Sequence, residues 1–274
     1  MSWIGRSYYR IAATRPGQIA LRAGLAGLRA CGLLRAFRLP LEALALDHPL
    51  GAELLRLWSR IHWAGTDGMM PPEQLLAVVR LAYECPVEGD TVELGSWVGL
   101  TTVHLAAACQ ARGRGDVFAV DTFAATKEGG TTYASAAKYG GSTLARFQET
   151  VRASGLEHRV HTHVGLTTEM ADRHRDRPIR FLFIDADHSY DGVKADFETW
   201  SPYVVPGGFI VFHDYAIPDV RRFVNEEVRG QSCMEALPGP VDANVFAVTK
   251  RGNPARAART PSLLAPAPAT AFVR

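Results

Sequence analysis

Residues 181–215, FLFIDADHSYDGVKADFETWSPYVVPGGFIVFHDY, decide how this chain folds. Two apolar runs, FLFID and GGFIVFHD, each stop at acidic residues or histidine, and a segment of helical character separates them. β-Branched and aromatic runs bounded by Gly and Pro predict strands buried on both faces, and such strands alternating with helices predict a parallel sheet. Ligands of open parallel sheets bind beyond the carboxyl ends of the strands. That rule gathers Asp185, Asp187, His188, His213 and Asp214 on one rim. Three carboxylates and two imidazoles are too many polar groups for packing, because each would be costly to bury unpaired. The rim is therefore predicted to be a site.

The alternation extends outward in both directions. Upstream, TVELGS reads as strand one, a helix runs from Leu100 to about Arg112, and DVFAVDTF reads as strand two. A helix around 144–154 leads to strand three, RVHTHVG, and a helix from about Tyr190 to Tyr203 joins strands four and five, with Asp191 as its expected N-cap. Downstream, a helix near 218–229 precedes MEALPGPVDANVFAVTK, whose Pro, Gly, Asp and Asn predict the turn of a closing antiparallel hairpin. The expected fold is α/β, a Rossmann-like seven-stranded sheet with helices on both faces and that hairpin at its end. Two helical blocks come first, His48 to Trp63 and one opened by Pro71 and Pro72 that runs to about Tyr83. Three regions result: a basic helical extension over 1–64, a domain over 65–250, and a Pro/Ala-rich tail over 251–274 expected to be disordered. Residues 125–143, ATKEGGTTYASAAKYGGST, lack apolar periodicity, and so long a loop inside a domain predicts a lid or binding loop.

Composition narrows the function classes. A chain of 274 residues with 47% hydrophobic content can bury one large α/β core. Residues 1–40 hold seven arginines and residues 249–274 five Lys/Arg, neither with an acid, so removing those twelve positives from the net +2 leaves the body at −10. A body that acidic argues against nucleic acid as a substrate. Residues 17–38 carry Leu, Ile and Ala at helical spacing, interrupted by Arg22, Arg29 and Arg35. Such a helix docks on the domain or on a second copy in a homo-oligomer, the reading favoured here, or makes peripheral contact with anionic lipid. Those arginines also keep every apolar run short of a secretory h-region, and no run approaches the ~20 apolar residues of a membrane span. Cys31, Cys85, Cys109 and Cys233 form no CxxC pair, which fits reduced thiols and a cytoplasmic location.

Strand one ends in VELGSWVG, where Gly95 and Gly99 flank Ser96, Trp97 and Val98. Glycine lets the backbone turn sharply close to a ligand, and the helix amides beyond it point outward. A side chain at Gly95 is expected to exclude that ligand while leaving the sheet intact. Asp121 ends strand two, where a carboxylate can accept both ribose hydroxyls of a nucleoside. A dinucleotide fingerprint needs a middle glycine, but Trp97 stands there. Glu93 would repel a pyrophosphate yet suits a ligand bearing an ammonium and a sulfonium. S-adenosylmethionine (SAM) is that ligand.

With these residues in hand, the chain resembles the class I SAM-dependent methyltransferases. VELGSWVGLTT resembles their first motif. IDADHSYDGVKADFETWSPYVVPGGFIVFHD resembles the strand-four to strand-five signature of a subgroup that includes O-methyltransferases of antibiotic sugars, related to the catechol and caffeoyl-CoA enzymes. The similarity covers roughly residues 65–250. It implies that Glu93 and Gly95 face the methionine end of SAM, Asp121 the ribose, and the segment after Gly165 the adenine. It also implies that Gly68-Met69-Met70 covers the cofactor. Asp185 and Asp214 match the family's metal positions, with Mg²⁺ as the expected cation, while His213 stands where relatives usually carry an acidic ligand and imidazole suits Zn, Fe or Mn better. His188 matches the position of the general base in some sugar-modifying relatives, and Asp187 competes for that role. The implied activity is methylation of a hydroxyl on a sugar, glycoside or other polyhydroxylated small molecule. A metal-independent methyltransferase and a non-catalytic partner subunit on the same fold are the alternatives.

Overall fold

The computed structural model describes residues 48–61, 68, 70–124, 137–174, 176–238 and 243–252. Most of the basic extension, Met69, most of the 125–143 loop and most of the tail lie outside these residues. Seven strands form one sheet: β1 (Asp90–Leu94), β2 (Val117–Asp121), β3 (Val160–Val164), β4 (Ile179–Ile184), β5 (Val204–Phe212), β6 (Met234–Ala236) and β7 (Phe246–Lys250). Their order is β3-β2-β1-β4-β5-β7-β6. The first five are parallel, and β7 runs antiparallel to both β5 and β6. The expected α/β sheet with a closing hairpin is what the chain forms.

All six residues of β4 are buried, Arg180 included, which explains the apolar run from Phe181 to Ile184. Phe181 and Phe183 face a layer built from α1 (His48–Arg60), α2 (Pro72–Glu84), α3 (Leu100–Arg112) and α4 (Leu144–Ser154). Leu182 and Ile184 face the opposite layer, where α6 (Tyr190–Trp200) and α7 (Pro218–Phe223) pack after the single turn α5 (Thr167–Met170). Only a strand sandwiched between two helical layers can be apolar at every position. β3, at the sheet edge, is correspondingly half exposed, with Val164 and Leu166 among the large apolar residues facing solvent.

Glycine sets the ends of α3. Gly99 at its start and Gly113 at its end are both left-handed (φ 83 and 73), and the Gly113 amide bonds the carbonyls of Cys109 and Gln110. For α6 the N-cap is Ser189, whose hydroxyl accepts from Gly192 N at 3.1 Å, while Asp191 sits inside the first turn. Asp191 had looked like the cap, but the shorter Ser189 side chain reaches the amide from the extended residue before the helix. β5 begins earlier than expected. Ile179 pairs with Val204 and Phe181 with Phe209, so residues 205–208 bulge opposite Arg180, and Pro206 is tolerated there because a bulge needs no ladder donor. The helix after β5 passes from α7 into a π turn over Val224–Val228.

Arg180 is an unexpected core residue, 1% exposed in the middle of an apolar strand. Its guanidinium donates to the carbonyl of Ala82 and to Thr91 Oγ1 (3.1 Å), and its own carbonyl accepts from Cys85 Sγ (3.0 Å). It therefore ties α2 to β1 and β4 at the end of the sheet opposite the rim. Cys85, Cys109 and Cys233 are free thiols. Among the described residues, no helix is long and apolar enough to cross a membrane.

The register of β1, β4 and β5 positions the site. Leu94 pairs with Ile184, and Ile184 with Phe212, so the three carboxyl ends finish level. Each ladder continues one residue further: Asp185 N donates to Leu94 O (2.9 Å) and His213 N to Ile184 O (3.1 Å). The residues that follow are thereby delivered to a single edge.

Asp196 on α6 yields a stability prediction. It is 2% exposed, accepts from Thr167 Oγ1, and its Oδ2 has no partner. Burial pushes its carboxyl up to about 6, with the Thr167 bond opposing. Its folded pKa thus exceeds the unfolded value of 3.8, so its contribution to stability is lost as pH rises through roughly 4 to 6. Asp196→Asn should gain about 1–3 kcal/mol on the wild type between pH 4 and pH 7, read by denaturant unfolding at both pH values. An equal gap at the two would show that Asp196 does not titrate there.

Candidate active site

Four side chains from two adjacent strand ends meet at the rim. Asp185 Oδ1 lies 2.9 Å from His213 Nδ1 and 3.4 Å from His188 Nε2. Asp214 Oδ2 lies 3.0 Å from His188 Nε2 and 3.5 Å from His213 Nδ1. Two further residues brace this quartet. Gln74, from the first turn of α2, has its Oε1 2.9 Å from His213 Nε2, and Asn244 Nδ2 donates to Asp214 Oδ1 at 2.8 Å.

The charges balance locally. Bonds from Asp185 and Asp214 raise the His188 imidazole to about 10 against the opposing effect of burial. Burial works against a charge on His213 as well, yet Asp185 and then Asp214 outweigh it and raise that imidazole to about 10. For Asp214, burial would raise the carboxyl, but bonds from His188, His213 and Asn244 hold it well below the usual carboxylate range. Two imidazolium charges therefore face two aspartates.

The glycine loop lies beside this quartet. A Cβ on Gly95, whose φ is +87, would overlap the carbonyl oxygen of Asp185. Glycine is demanded there by the close passage of β1 and β4, which corrects the expectation that a larger residue would leave the sheet intact. Glu93 is fully buried and bonded by Thr102 Oγ1 on α3, while its Oε1 and the neighbouring Ser96 Oγ form no hydrogen bond of regular geometry, although the Ser96 hydroxyl is close enough to favour the Glu93 anion. Burial pushes the Glu93 carboxyl up to about 8, so it keeps its proton at neutral pH. Gly99 packs its bare face against the Phe147 ring, and Gly165 ends β3 with its amide on the Asp121 carbonyl (3.0 Å).

Asp121, expected at the ribose, also has a backbone role. Its Oδ2 accepts from the amides of Ser96 (2.9 Å) and Trp97 (2.8 Å), and its Oδ1 from Phe123 N (2.7 Å). Trp97 and Phe123 both hold positive φ, 50 and 52, which costs a non-glycine residue about 1–2 kcal/mol. One carboxylate thus pins two strained backbone positions.

Of the predicted rim residues, Asp185, His188, His213 and Asp214 converge and Asp187 does not. Asp187 is exposed, its Oδ1 accepts from Ser189 N (2.8 Å), and its carboxyl packs against Gly192 at the start of α6. That turn geometry takes it away from the base role. His188, expected as a base alone, is the third member of a cation-compatible set with Asp185 and Asp214, whose ligand atoms lie within 4.8 Å of one another. His213, expected as a ligand, has both ring nitrogens engaged by Asp185 and Gln74. Gln74 and Asn244 were missed because nothing local marks them. They lie 139 and 30 residues from their partners. His161 and His174 are structural: His161 bonds Asp116 (3.0 Å) and His174 packs on Phe118.

A family profile described as a methyltransferase domain spans the segment from β1 to the residue after Asp214. Residues 92–215 match the methyltransferase-domain family. Solved structures with this methyltransferase fold include the O-methyltransferase NovP (TM-score 0.53, 19% identity, covering 68% of this chain and 82% of that one). The calicheamicin methyltransferase CalS11 gives a TM-score of 0.53 at 18% identity, over 76% of this chain and 95% of that one. A caffeoyl-CoA O-methyltransferase, so described provisionally, from Staphylococcus aureus gives 0.52 at 16% identity, over 80% and 100%. At these identities the likeness is one of fold. An uncharacterized protein of Sinorhizobium fredii is 34% identical over 131 residues, 45% of this chain but 13% of that protein. One from Acanthamoeba polyphaga mimivirus is 54% identical over 37 residues, 14% of this chain and 17% of that protein. The chain thus spans under a fifth of either curated relative.

The Asp121 clamp carries a prediction for the methyltransferase domain. Asp121→Ala strands three amides and releases two strained residues, so it should lower unfolding free energy by about 2–4 kcal/mol as well as weaken cofactor binding. Equilibrium denaturation alongside calorimetric titration with SAM would read both. Weakened binding with unchanged stability would restrict Asp121 to contacting the ligand.

Proposed function

We propose that the chain is a SAM-dependent O-methyltransferase, assisted by a divalent cation, acting on a hydroxyl of a sugar or other polyhydroxylated small molecule. The observation that carries this reading is the convergence of Asp185, His188 and Asp214 beside the Glu93–Gly99 loop of a methyltransferase domain. The likeness in fold to the O-methyltransferase NovP and the calicheamicin methyltransferase CalS11 adds weight to it.

The residues fit both groups. Glu93 Oε1 and Ser96 Oγ are buried polar atoms with no hydrogen bond of regular geometry, and a carboxyl raised to about 8 by burial is stabilised as an anion by a cationic ligand. SAM, held there, would supply an electrophilic methyl group, with its sulfur as the leaving atom that retains the electron pair. Two carboxylate oxygens and one imidazole nitrogen suit a divalent ion, with Mn, Fe or Zn favoured over Mg by the imidazole. Such an ion supplies positive charge that acidifies a nearby hydroxyl. The chain's own groups orient the acceptor at the rim: where the ion is held, His188 Nε2 would be one of its ligands, and without the ion the same nitrogen, once neutral, would accept the hydroxyl proton. His213, braced by Gln74, keeps Asp185 in place.

A metal-independent reading has one observation in its favour: the two imidazolium charges already neutralise the aspartates. The pH profile separates the two. With divalent cations removed, His188 holds its proton to about 10, so turnover should climb with pH across the whole neutral range. Added Mn²⁺ should move the inflection to lower pH and raise turnover at pH 7 while SAM affinity stays level. An unchanged profile and full turnover after chelation would eliminate the cation. His188→Ala should lose about 10²–10⁴-fold in turnover with SAM affinity kept, and binding of NADH in place of SAM would sink both readings.

A further inference from the structure

The turn after β5 carries Asp214 with φ 53, a left-handed conformation that a residue with a Cβ holds only when its surroundings enforce it. Asn244 supplies that enforcement. Its backbone carbonyl accepts from Tyr215 N (3.1 Å), its Oδ1 accepts from Ala216 N (3.0 Å), and its Nδ2 donates to Asp214 Oδ1 (2.8 Å). The antiparallel register of β5 and β7 pairs Phe212 with Phe246, and two residues further along, that register sets Asp214 opposite Asn244.

The third bond matters most. With Oδ1 held by the amide, Oδ2 is the oxygen turned to the rim, 3.0 Å from His188 Nε2 and 3.5 Å from His213 Nδ1. The amide's orientation is fixed by chemistry, because Ala216 N–H requires an acceptor and a carboxylate requires a donor. Asparagine offers both from one short side chain. Aspartate would still serve Ala216 but would set one carboxylate against another, and alanine would serve neither.

We infer that Asn244 is a positioning residue for Asp214: it locks the left-handed turn and selects which carboxylate oxygen faces the reacting groups. The inference rests on Asp214 belonging to the proposed site. It gives the C-terminal hairpin a task in the chemistry, because β7 delivers the residue that aims a group on β5.

The test compares the full wild-type chain with Asn244→Asp and Asn244→Ala. Three quantities are measured: hydrogen exchange of the Ala216 amide, the Asp214 side-chain carboxyl ¹³C resonance, and kcat beside the KM for SAM. Asn244→Asp should keep Ala216 protected, displace the Asp214 resonance, and lower kcat about 10–100-fold with the KM for SAM unchanged, as for groups that orient a site's own side chains. Asn244→Ala should also expose the Ala216 amide. A wild-type Asp214 resonance in both variants, or wild-type kcat in Asn244→Asp, would overturn the inference. If the wild-type chain transfers no methyl group, the proposed function fails, and the exchange and carboxyl readings still decide the role of Asn244.

Discussion

Two backbone hydrogen bonds, Asp185 N to Leu94 O and His213 N to Ile184 O, hold three strand ends level, and the rest of the rim is built on them. They act one residue beyond the paired strands, where the ladder gives way to irregular backbone. Without that extension the aspartate after β4 and the histidine after β5 would point wherever their loops took them. The same closeness forces glycine at position 95, since any side chain there would push Asp185 away. The glycine loop after β1 and the quartet after β4 and β5 are therefore in direct contact through Gly95 and Asp185.

Electrostatics on the rim follow from partial burial. His213 is 6% exposed, and isolated it would be neutral; the aspartates reverse that outcome. Glu93 shows the opposite balance, because its surroundings supply a hydroxyl and no cation. A protonated Glu93 beside an ion-paired quartet means that these residues together carry little net charge. A cationic ligand thus changes the protonation of the site on arrival, as linkage requires.

Much of this was legible in the sequence because it depends on local patterning. The buried run of β4, the glycine-bounded α3 and the antiparallel β6–β7 pair each announce themselves within ten to twenty residues. The side-chain roles at the rim were legible only as a list of names. Asp187 and His188 are neighbours, yet one closes a turn onto Ser189 and the other reaches two strands, a choice made by the Ser189 cap and the position of Asp214. Asp121 has the residue type and place of a ribose ligand, whereas the three amides that bond its oxygens are brought together only in the folded chain. Gln74, Asn244 and Arg180 were invisible for the same reason: a polar side chain's partner across the fold leaves no periodic trace.

Among the described residues, three non-glycine ones, Trp97, Phe123 and Asp214, hold left-handed backbone, and they follow β1, β2 and β5 respectively. Each is restrained by a single side chain, Asp121 for the first two and Asn244 for the third. The sheet beneath relies on many redundant ladder bonds, whereas the rim relies on two. On warming, the rim is therefore expected to relax before the sheet melts, as a local loss of geometry inside a molecule that is still folded.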